Sequence, residues 1–419
     1  MRDVYIIGVG MTRFAKHLDK TEKDLVAQAV RTGLNDAGLA PRDIQAAWFS
    51  NSMWGYFSEQ HCIKGQVALR PLGIQEISIT NVENACAGAS TALHGAWMGV
   101  ASGLYDCALA VGVEKLYSED REKTFRAYWA AVDVSDIQGH LVAWRNALDG
   151  LDLDIPEDQD QAGDAGKNRS AFMDIYAGWG RWHMAVYGTT QHQLAVIASK
   201  NHFHSTLNPY AQYQKDMSVD EVLAARPVIY PLTVPMCTPV GDGAACAVVC
   251  SGEYLKKIGE LRPVRILASV QGSGSDRSIT EENRDIGARL SRHAYEVAGV
   301  GPQDIDVAEV HDATAFGELH QCEALGFCPP GEGGPFAESG ATRLGGSLPI
   351  NTSGGLESRG HPVGASGLGQ IFELVTQLRH EAGKRQVQGC RLALAENGGG
   401  NLGFEEAAMC IHILERVDS

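Results

Sequence analysis

Two octapeptides far apart in this chain are versions of one another: Ala37-Gly38-Leu39-Ala40-Pro41-Arg42-Asp43-Ile44 and Ala298-Gly299-Val300-Gly301-Pro302-Gln303-Asp304-Ile305. Each follows an amphipathic helical pattern (Asp24 to Asp36, and Gly287 to Val297) and precedes an apolar strand pattern. A second pair occurs in the same order, Gly88-Ala89-Ser90 and Gly364-Ala365-Ser366, each opening a long apolar helix. Those helices lead into Tyr105 to Val111 and Cys390 to Ala395, which read as buried strands. One shared turn could arise by chance; two matches in the same order imply a duplicated plan. Strands alternating with helices predict an α/β fold with a largely buried sheet in each half.

The spacings diverge where the first half is interrupted. From about Tyr117 to about Val228 the pattern is irregular, holding Trp129, Trp144, Trp179 and Trp182 and an acidic, turn-rich patch from Asp149 to Asp164. Such an insertion reads either as a solvated loop region with a small core of its own or as a lid over a bound substrate. α/β patterning returns at Pro231 to Tyr254. The expected division is a first half from 1–116 and 229–260, an insertion over 117–228, and a second half over 261–419.

Composition narrows the function. The chain has 35 basic and 51 acidic residues, a net charge of -16, which argues against nucleic-acid or anionic-membrane partners. No apolar run approaches the roughly 18–20 residues that span a bilayer. Met1 to Gly10 runs straight into a strand pattern and does not read as a signal peptide. Ten cysteines without framework spacing predict free, mostly buried thiols and a cytoplasmic location.

The chemistry concentrates in loops. Asn351 to Gly367 holds five glycines and one proline around a single imidazole, His361, so it cannot be a helix or strand interior. It predicts a tight loop that fixes His361 against something very close. Asn81 to Ser90 has a related character, with Cys86 between a strand pattern and the glycine that opens a helix. A buried cysteine is most often a small hydrophobe, which is the expected state of Cys107, Cys246, Cys250, Cys390 and Cys410. At a helix start, however, the dipole would stabilise a thiolate and free N–H groups would hold an oxyanion. A neutral His361 beside Cys86 would take its proton. Val310-His311-Asp312-Ala313 follows a strand of the second half, and Ala395 to Gly403 is a glycine loop after another. Strand ends of α/β folds meet ligands, although each of these two signals is weak alone.

Competing motifs fail. Gly8-Val9-Gly10 lacks the third glycine of a dinucleotide fingerprint, and there is no phosphate loop, no Gly-x-Ser-x-Gly elbow and no His-Glu-x-x-His pair. His202 with His204, and Cys322 with Cys328, lack further ligands at usual spacing, so no metal is expected.

Together Cys86, His311-Asp312, Asn351 to Gly367 and the late glycine loop resemble the thiolase superfamily, and more narrowly the sterol-carrier-protein type with its bacterial and archaeal relatives. Lys200 to Ser205, Asn208-Pro209-Tyr210, Glu323 to Gly326 and Gly360-His361-Pro362 have counterparts there. The resemblance implies a duplicated five-layer α/β/α/β/α fold with a lid in its first half, assembled as a homodimer or homotetramer. It implies Cys86 as the acylated nucleophile, His361 as its activator and His311 as a holder of the enolate. Asn351 and Gly399 mark the oxyanion loops, with Cys86 and the loop near Gly399 giving N–H groups. Coenzyme A thioesters would be substrate and product, with no permanently bound cofactor. A small zinc-containing OB-fold subunit is the expected protein partner.

The departures matter as much. Relatives of this type have a second cysteine directly after the His-Asp pair, where this chain has Ala313; other thiolases have it ahead of the late glycines, where this chain has Glu396-Asn397. That thiol normally moves the α-carbon proton. Glu396, a lid tyrosine or a water held by His311 would have to replace it. The first expectation is a thiolase cleaving or forming a β-ketoacyl-CoA, with a bulky or aromatic acyl group as in benzoylsuccinyl-CoA thiolase and a place in a degradation pathway. A retro-aldolase or other acyltransferase comes second, and a non-catalytic acyl-CoA- or lipid-binding subunit third.

Overall fold

The computed structural model of the chain describes residues 1–153, 155–156, 165–259 and 262–417. Much of the acidic stretch from Asp149 to Asp164, and the expected boundary between 260 and 261, lie outside them. The first half contributes β1 (Val4–Met11), α1 (Glu22–Asp36), β2 (Ala46–Ser50), α2 (Trp54–Ser58), α3 (Lys64–Leu69), β3 (Ser78–Val82), α4 (Gly88–Ala101) and β4 (Cys107–Glu114). Five helices follow, α5 (Arg121–Ala127), α6 (Ile137–Leu148), α7 (Ala171–Tyr187), α8 (Gln191–Thr206) and α9 (Val219–Leu223), with a short hairpin of β5 (Pro227–Ile229) and β6 (Leu232–Thr233). The chain then returns through β7 (Gly243–Ser251) and α10 (Gly252–Ile258). The second half comprises β8 (Val264–Ser273), α11 (Ile286–Ala298), β9 (Val307–Glu309), α12 (Ala315–Ala324), α13 (Gly333–Glu338), α14 (Ser366–Leu378), β10 (Leu392–Gly399) and β11 (Ala408–Arg416).

The duplication is visible in the pairing. One nine-stranded sheet runs β3-β2-β4-β7-β1-β8-β11-β10-β9. Outward from the β1–β8 seam, each half repeats the same senses: antiparallel (β1–β7, β8–β11), antiparallel (β7–β4, β11–β10), then parallel (β4–β2, β10–β9). The seam itself is only Tyr5↔Arg265 and Ile6↔Val264. The two expected sheets are therefore present as half-sheets, joined at one short antiparallel contact rather than separated.

Layering follows from the alternation of side chains. On β1, β4 and β7, Ile6, Ala108, Ala110 and Val249 face α4 and α14, while Ile7, Leu109, Val111 and Val248 face α1 and α3. On the second half-sheet, Val307, Ala393 and Ala395 face the same central helices, and Ala308, Leu394 and Ile411 face α11 and α12. The order is helix, sheet, helix pair, sheet, helix. Helix α1 shows how the sequence builds such a layer. Thr21 and Asp24 cap each other reciprocally, and Leu25, Val26, Ala29, Val30 and Leu34 supply one buried stripe. Gly10 lets α1 lie directly on β1, because a β-carbon there would stand 2.1 Å from the Ala29 carbonyl oxygen.

The insertion departs from expectation. It is mostly helical, and its core is not its own: Trp144, Tyr176, Trp179 and Trp182 pack in one cluster with Ala313, Phe316 and Leu319 of the second half. Trp144 meets Trp179 edge-on at 5.8 Å and Phe404 at 5.0 Å between ring centroids. The irregular sequence pattern arises because α7 and α8 are buried on more than one side, α8 with polar side chains such as Lys200, Asn201 and His204 among them, so apolar and polar residues do not separate into two faces.

The middle layer carries the architecture, and Leu93 of α4 is fully buried within it. We expect Leu93→Ala to lower stability by about 3 kcal/mol through lost transfer energy and an incompletely relaxed cavity, measured as a reduced denaturation midpoint. An unchanged midpoint would show that the central helix pair is not tightly packed.

Candidate active site

The central helices α4 and α14 start next to each other. Each is preceded by a 3-10 turn, Ala85–Ala87 before Gly88 and Val363–Ala365 before Ser366, so the repeated Gly-Ala-Ser motif delivers Cys86 and His361 to one place. The Cys86 turn is strained: Ala85 has φ 47, which costs a β-carbon residue about 1–2 kcal/mol. Glu83 holds it by accepting the Ala85 N–H at 2.6 Å. Gly399 passes beneath this turn, where a β-carbon would stand 2.2 Å from the Asn84 carbonyl oxygen and 2.5 Å from the Ala87 nitrogen. The late glycine loop is thus needed for close approach of backbone to backbone.

Cys86 Sγ lies 3.1 Å from His361 Nε2, and His361 Nδ1 lies 2.6 Å from Ser366 Oγ. The tautomer follows from proton counting. Ser366 has one hydroxyl proton and donates it to the Pro362 carbonyl oxygen at 2.9 Å, so it accepts from Nδ1–H. That leaves Nε2 bare, aimed at the thiol, in the state a base needs.

The pair rests uncharged. Burial, reinforced by the negative charges of Glu114 and Glu83, pushes the Cys86 thiol up to about 12, with the Gly400 N–H working the other way. Burial, with His311 and Arg359 nearby, holds the His361 imidazole well below its ordinary value. Burial therefore opposes the dipole-stabilised thiolate expected from the sequence. Cys86 sits in the 3-10 turn ahead of α4 rather than in its first turn, and desolvation together with two carboxylates outweighs the dipole.

His311 completes the cluster: one ring or sulfur atom each of Cys86, His311 and His361 lies within 4.8 Å of the others. The Asn397 amide nitrogen donates to His311 Nδ1 at 3.0 Å, and Ser90 Oγ donates to the Asn397 oxygen at 3.1 Å, which fixes the amide's orientation. His311 Nε2 therefore carries the proton and acts as a donor. Burial lowers its pKa to about 3, so it stays neutral. Its neighbour Asp312 points away, accepting N–H groups from Leu356 at 2.6 Å and Glu357 at 3.4 Å and thereby tying the His361 loop down.

Two sequence-derived residues occupy other places. Glu396 is fully buried and does not line the cavity; its Oε2 accepts the backbone N–H of His311 at 2.8 Å. Asn351 is also fully buried and away from the cavity. It donates to Glu318 at 2.7 Å and accepts the Val310 N–H at 2.9 Å, and because it does not line the cavity its amide is not placed as an oxyanion donor. Gly399 lines the cavity but still pairs with Ala408 in β10, and it is the next N–H, that of Gly400, that faces the Cys86 sulfur.

A cavity of about 580 Å³ opens over the cluster. Cys86, His311, Ala313, His361 and Gly400 form its floor, and Phe125, Tyr128, Phe172 and Tyr176 of the inserted helical region give it aromatic walls. Glu406 also lines it, a residue the sequence did not single out. Ser366 and Asn397 went unassigned too, although both lie within the glycine-rich segments already marked. Among the described residues, no helix is long and apolar enough to cross a membrane.

Comparison with known proteins agrees with this geometry. The family model for the thiolase N-terminal domain matches residues 4–253, and that for a thiolase C-terminal domain-like region matches 275–416. The chain belongs to the thiolase family. It is 36% identical to an acetyl-CoA acetyltransferase of Methanothermobacter thermautotrophicus, covering 99% of this chain and 100% of that one. It is 34% identical to the benzoylsuccinyl-CoA thiolase subunit BbsB of Thauera aromatica, with 95% of each covered. A solved Ltp2-ChsH2(DUF35) aldolase superposes with a TM-score of 0.77 at 24% identity, covering 99% and 98% of the two chains, which shows a shared fold.

Because the raised thiol pKa leaves Cys86 protonated at neutral pH, its alkylation should grow about tenfold per pH unit up to at least pH 10. Peptide mass spectrometry after brief iodoacetamide treatment separates it from exposed Cys62. A plateau below pH 8 would instead show a resting thiolate.

Proposed function

We propose that the chain is an acyl-CoA C-acyltransferase that cleaves or forms a β-ketoacyl-CoA through an acyl thioester on Cys86. The observation that carries this reading is the 3.1 Å contact between Cys86 Sγ and a His361 Nε2 whose tautomer Ser366 fixes. Cys86 gives its proton to Nε2 as sulfur attacks the carbonyl carbon. This avoids a standing thiolate, because the charge is created only when an acceptor is present. The carbonyl oxygen that becomes negative is met by the N–H groups of Cys86 and Gly400. His311 Nε2–H is placed to hold the enolate oxygen of the acyl-CoA that leaves or enters. Coenzyme A is substrate and product rather than a resident group.

The acyl group is bulky or aromatic on this reading. Support comes from the aromatic walls of the cavity and from the named substrate of the Thauera relative. Lys16, Arg121 and Arg226 line the same cavity and complement coenzyme A phosphates on a chain whose net charge is -16. A homodimer or homotetramer and a small zinc-containing OB-fold subunit are part of the proposal, the latter supported by that relative being one subunit of its thiolase. A place in a degradation pathway and a cytoplasmic location complete it.

The test is covalent. Incubation with acetoacetyl-CoA or an aromatic acyl-CoA should add one acyl mass to the Cys86 peptide, and Cys86→Ala should abolish both adduct and turnover. His361→Ala should slow acylation about 10²- to 10⁴-fold by removing the base. Turnover that survives Cys86→Ala would refute the acyl-enzyme and favour retro-aldol chemistry.

A further inference from the structure

The chain has no second cysteine at Ala313 and Glu396 does not reach the cavity, so the group that moves the α-carbon proton must be sought elsewhere. Glu406 lines the cavity beside Cys86, His311, Ala313 and Gly400. It is only 3% exposed. Its Oε1 accepts a hydrogen bond from Gln321 Nε2 at 3.2 Å, which orients the carboxyl group, while its Oε2 is buried without a partner. A buried carboxyl oxygen left unpaired at a cavity wall costs free energy unless something visits it. Gly398 makes room for it, since a β-carbon there would stand 2.7 Å from Glu406 Cγ.

We propose that Glu406 is the acid/base of the carbon–carbon step, doing with a carboxyl group what the missing thiol does in relatives. The assignment rests on the acyl-transfer reading above. In the cleavage direction, Cys86 sulfur attacks the β-keto carbon and its proton passes to His361. The bond between the α- and β-carbons then breaks, its electron pair forming the enolate of the departing acyl-CoA. Glu406 in its acid form protonates the α-carbon. The resulting carboxylate takes the thiol proton of an incoming coenzyme A, whose sulfur attacks the acyl thioester. Cys86 leaves and recovers its proton from His361, so both groups end as they began.

The charges facing Glu406 suit a group that must cycle. Asp285, Glu396 and Tyr176 lie on one side of the balance, and His320 and Arg277 on the other. Burial first, then Asp285, raises the Glu406 pKa to about 7, with His320 and Arg277 opposing. Asp285, His320 and Glu406 each place an atom within 4.8 Å of the other two. Burial favours a neutral His320, but Asp285 at 3.5 Å holds it protonated to about 9.

The experiment compares wild type, Glu406→Gln, Glu406→Asp and Glu396→Gln in three assays. These are acylation of Cys86 by acetyl-CoA, in which coenzyme A leaves and no carbon–carbon bond breaks, cleavage of acetoacetyl-CoA, and deuterium uptake at the α-carbon of acetyl-CoA in D2O. Glu406→Gln should acylate within about fivefold of wild type while losing at least 100-fold in α-exchange and cleavage. Glu406→Asp should recover part of the exchange, and wild-type exchange should rise through about pH 7. Glu396→Gln should lower acylation and exchange together, because it acts through His311. Wild-type protein without α-exchange, Glu406→Gln with near-normal exchange, or Glu406→Asp that acylates normally yet exchanges no faster than Glu406→Gln would each overturn the assignment. Failure of wild type to acylate Cys86 would refute the acyl-enzyme reading separately, since α-exchange needs no acyl-cysteine.

Discussion

The hydrogen bond from Cys86 to His361 is the contact on which the structure turns, because its two ends belong to different copies of the repeat. Neither half could make it alone. Each copy brings its own 3-10 turn to the start of a central helix, and the near-twofold relation of the copies sets those turns side by side. The β1–β8 seam and the α4–α14 pair hold the halves in that relation. The site is therefore a property of the duplication, and loosening the central layer would separate base from nucleophile before it unfolded either half.

Holding a neutral pair at 3.1 Å demands rigid backbone, and buried charge supplies it. Lys200 pairs with Glu318 and donates to the Ile350 carbonyl oxygen at 3.0 Å. Asn201 bridges Glu318, Asp312 and Glu357 at 3.0, 3.2 and 2.8 Å. On the other side Glu114 accepts N–H groups from Ser52, Met53 and Gly364, each at 3.0 Å, joining the Cys86 region to the His361 loop. Burying such groups is expensive, the more so because Asn201 Oδ1 and Glu357 Oε1 have no partner among the described residues. Their value here is specificity of loop placement, and one side effect is visible: Glu114 and Glu83 raise the thiol pKa that His361 must overcome.

Low dielectric gives the site its logic. Cys86, His361 and His311 all rest uncharged, so charge appears only along the reaction path, where fixed N–H groups are waiting. The same burial that disfavours a thiolate also disfavours a carboxylate at Glu406 and Glu396, two buried glutamates in different places. Each pairs one oxygen, Glu396 with the His311 backbone N–H and Glu406 with Gln321, and leaves the other unpaired, but of the two it is Glu406 that lines the cavity.

Periodicity and the repeated Ala-Gly-x-x-Pro and Gly-Ala-Ser motifs determined the α/β duplication, and the helix start after Cys86, the glycine-rich loop of His361 and the strand end before His311 marked residues that the fold brings together. These were legible because they are local: a turn, a helix start or a close backbone approach requires particular residue types at fixed spacing. Tertiary structure decided what depends on neighbours distant in sequence. It decided that Ser366 and Asn397 fix the two imidazole tautomers, and that Gly400 rather than Gly399 presents its N–H to the thiol. It also decided that the insertion is helical and shares a core with α12, and that Glu396 and Asn351 face inward while Glu406 faces the cavity. Two glutamates ten residues apart are equivalent in sequence; only the hairpin of β10 and β11 and the packing around it settle which one lines the cavity, because burial, partner and direction belong to the fold and not to the residue.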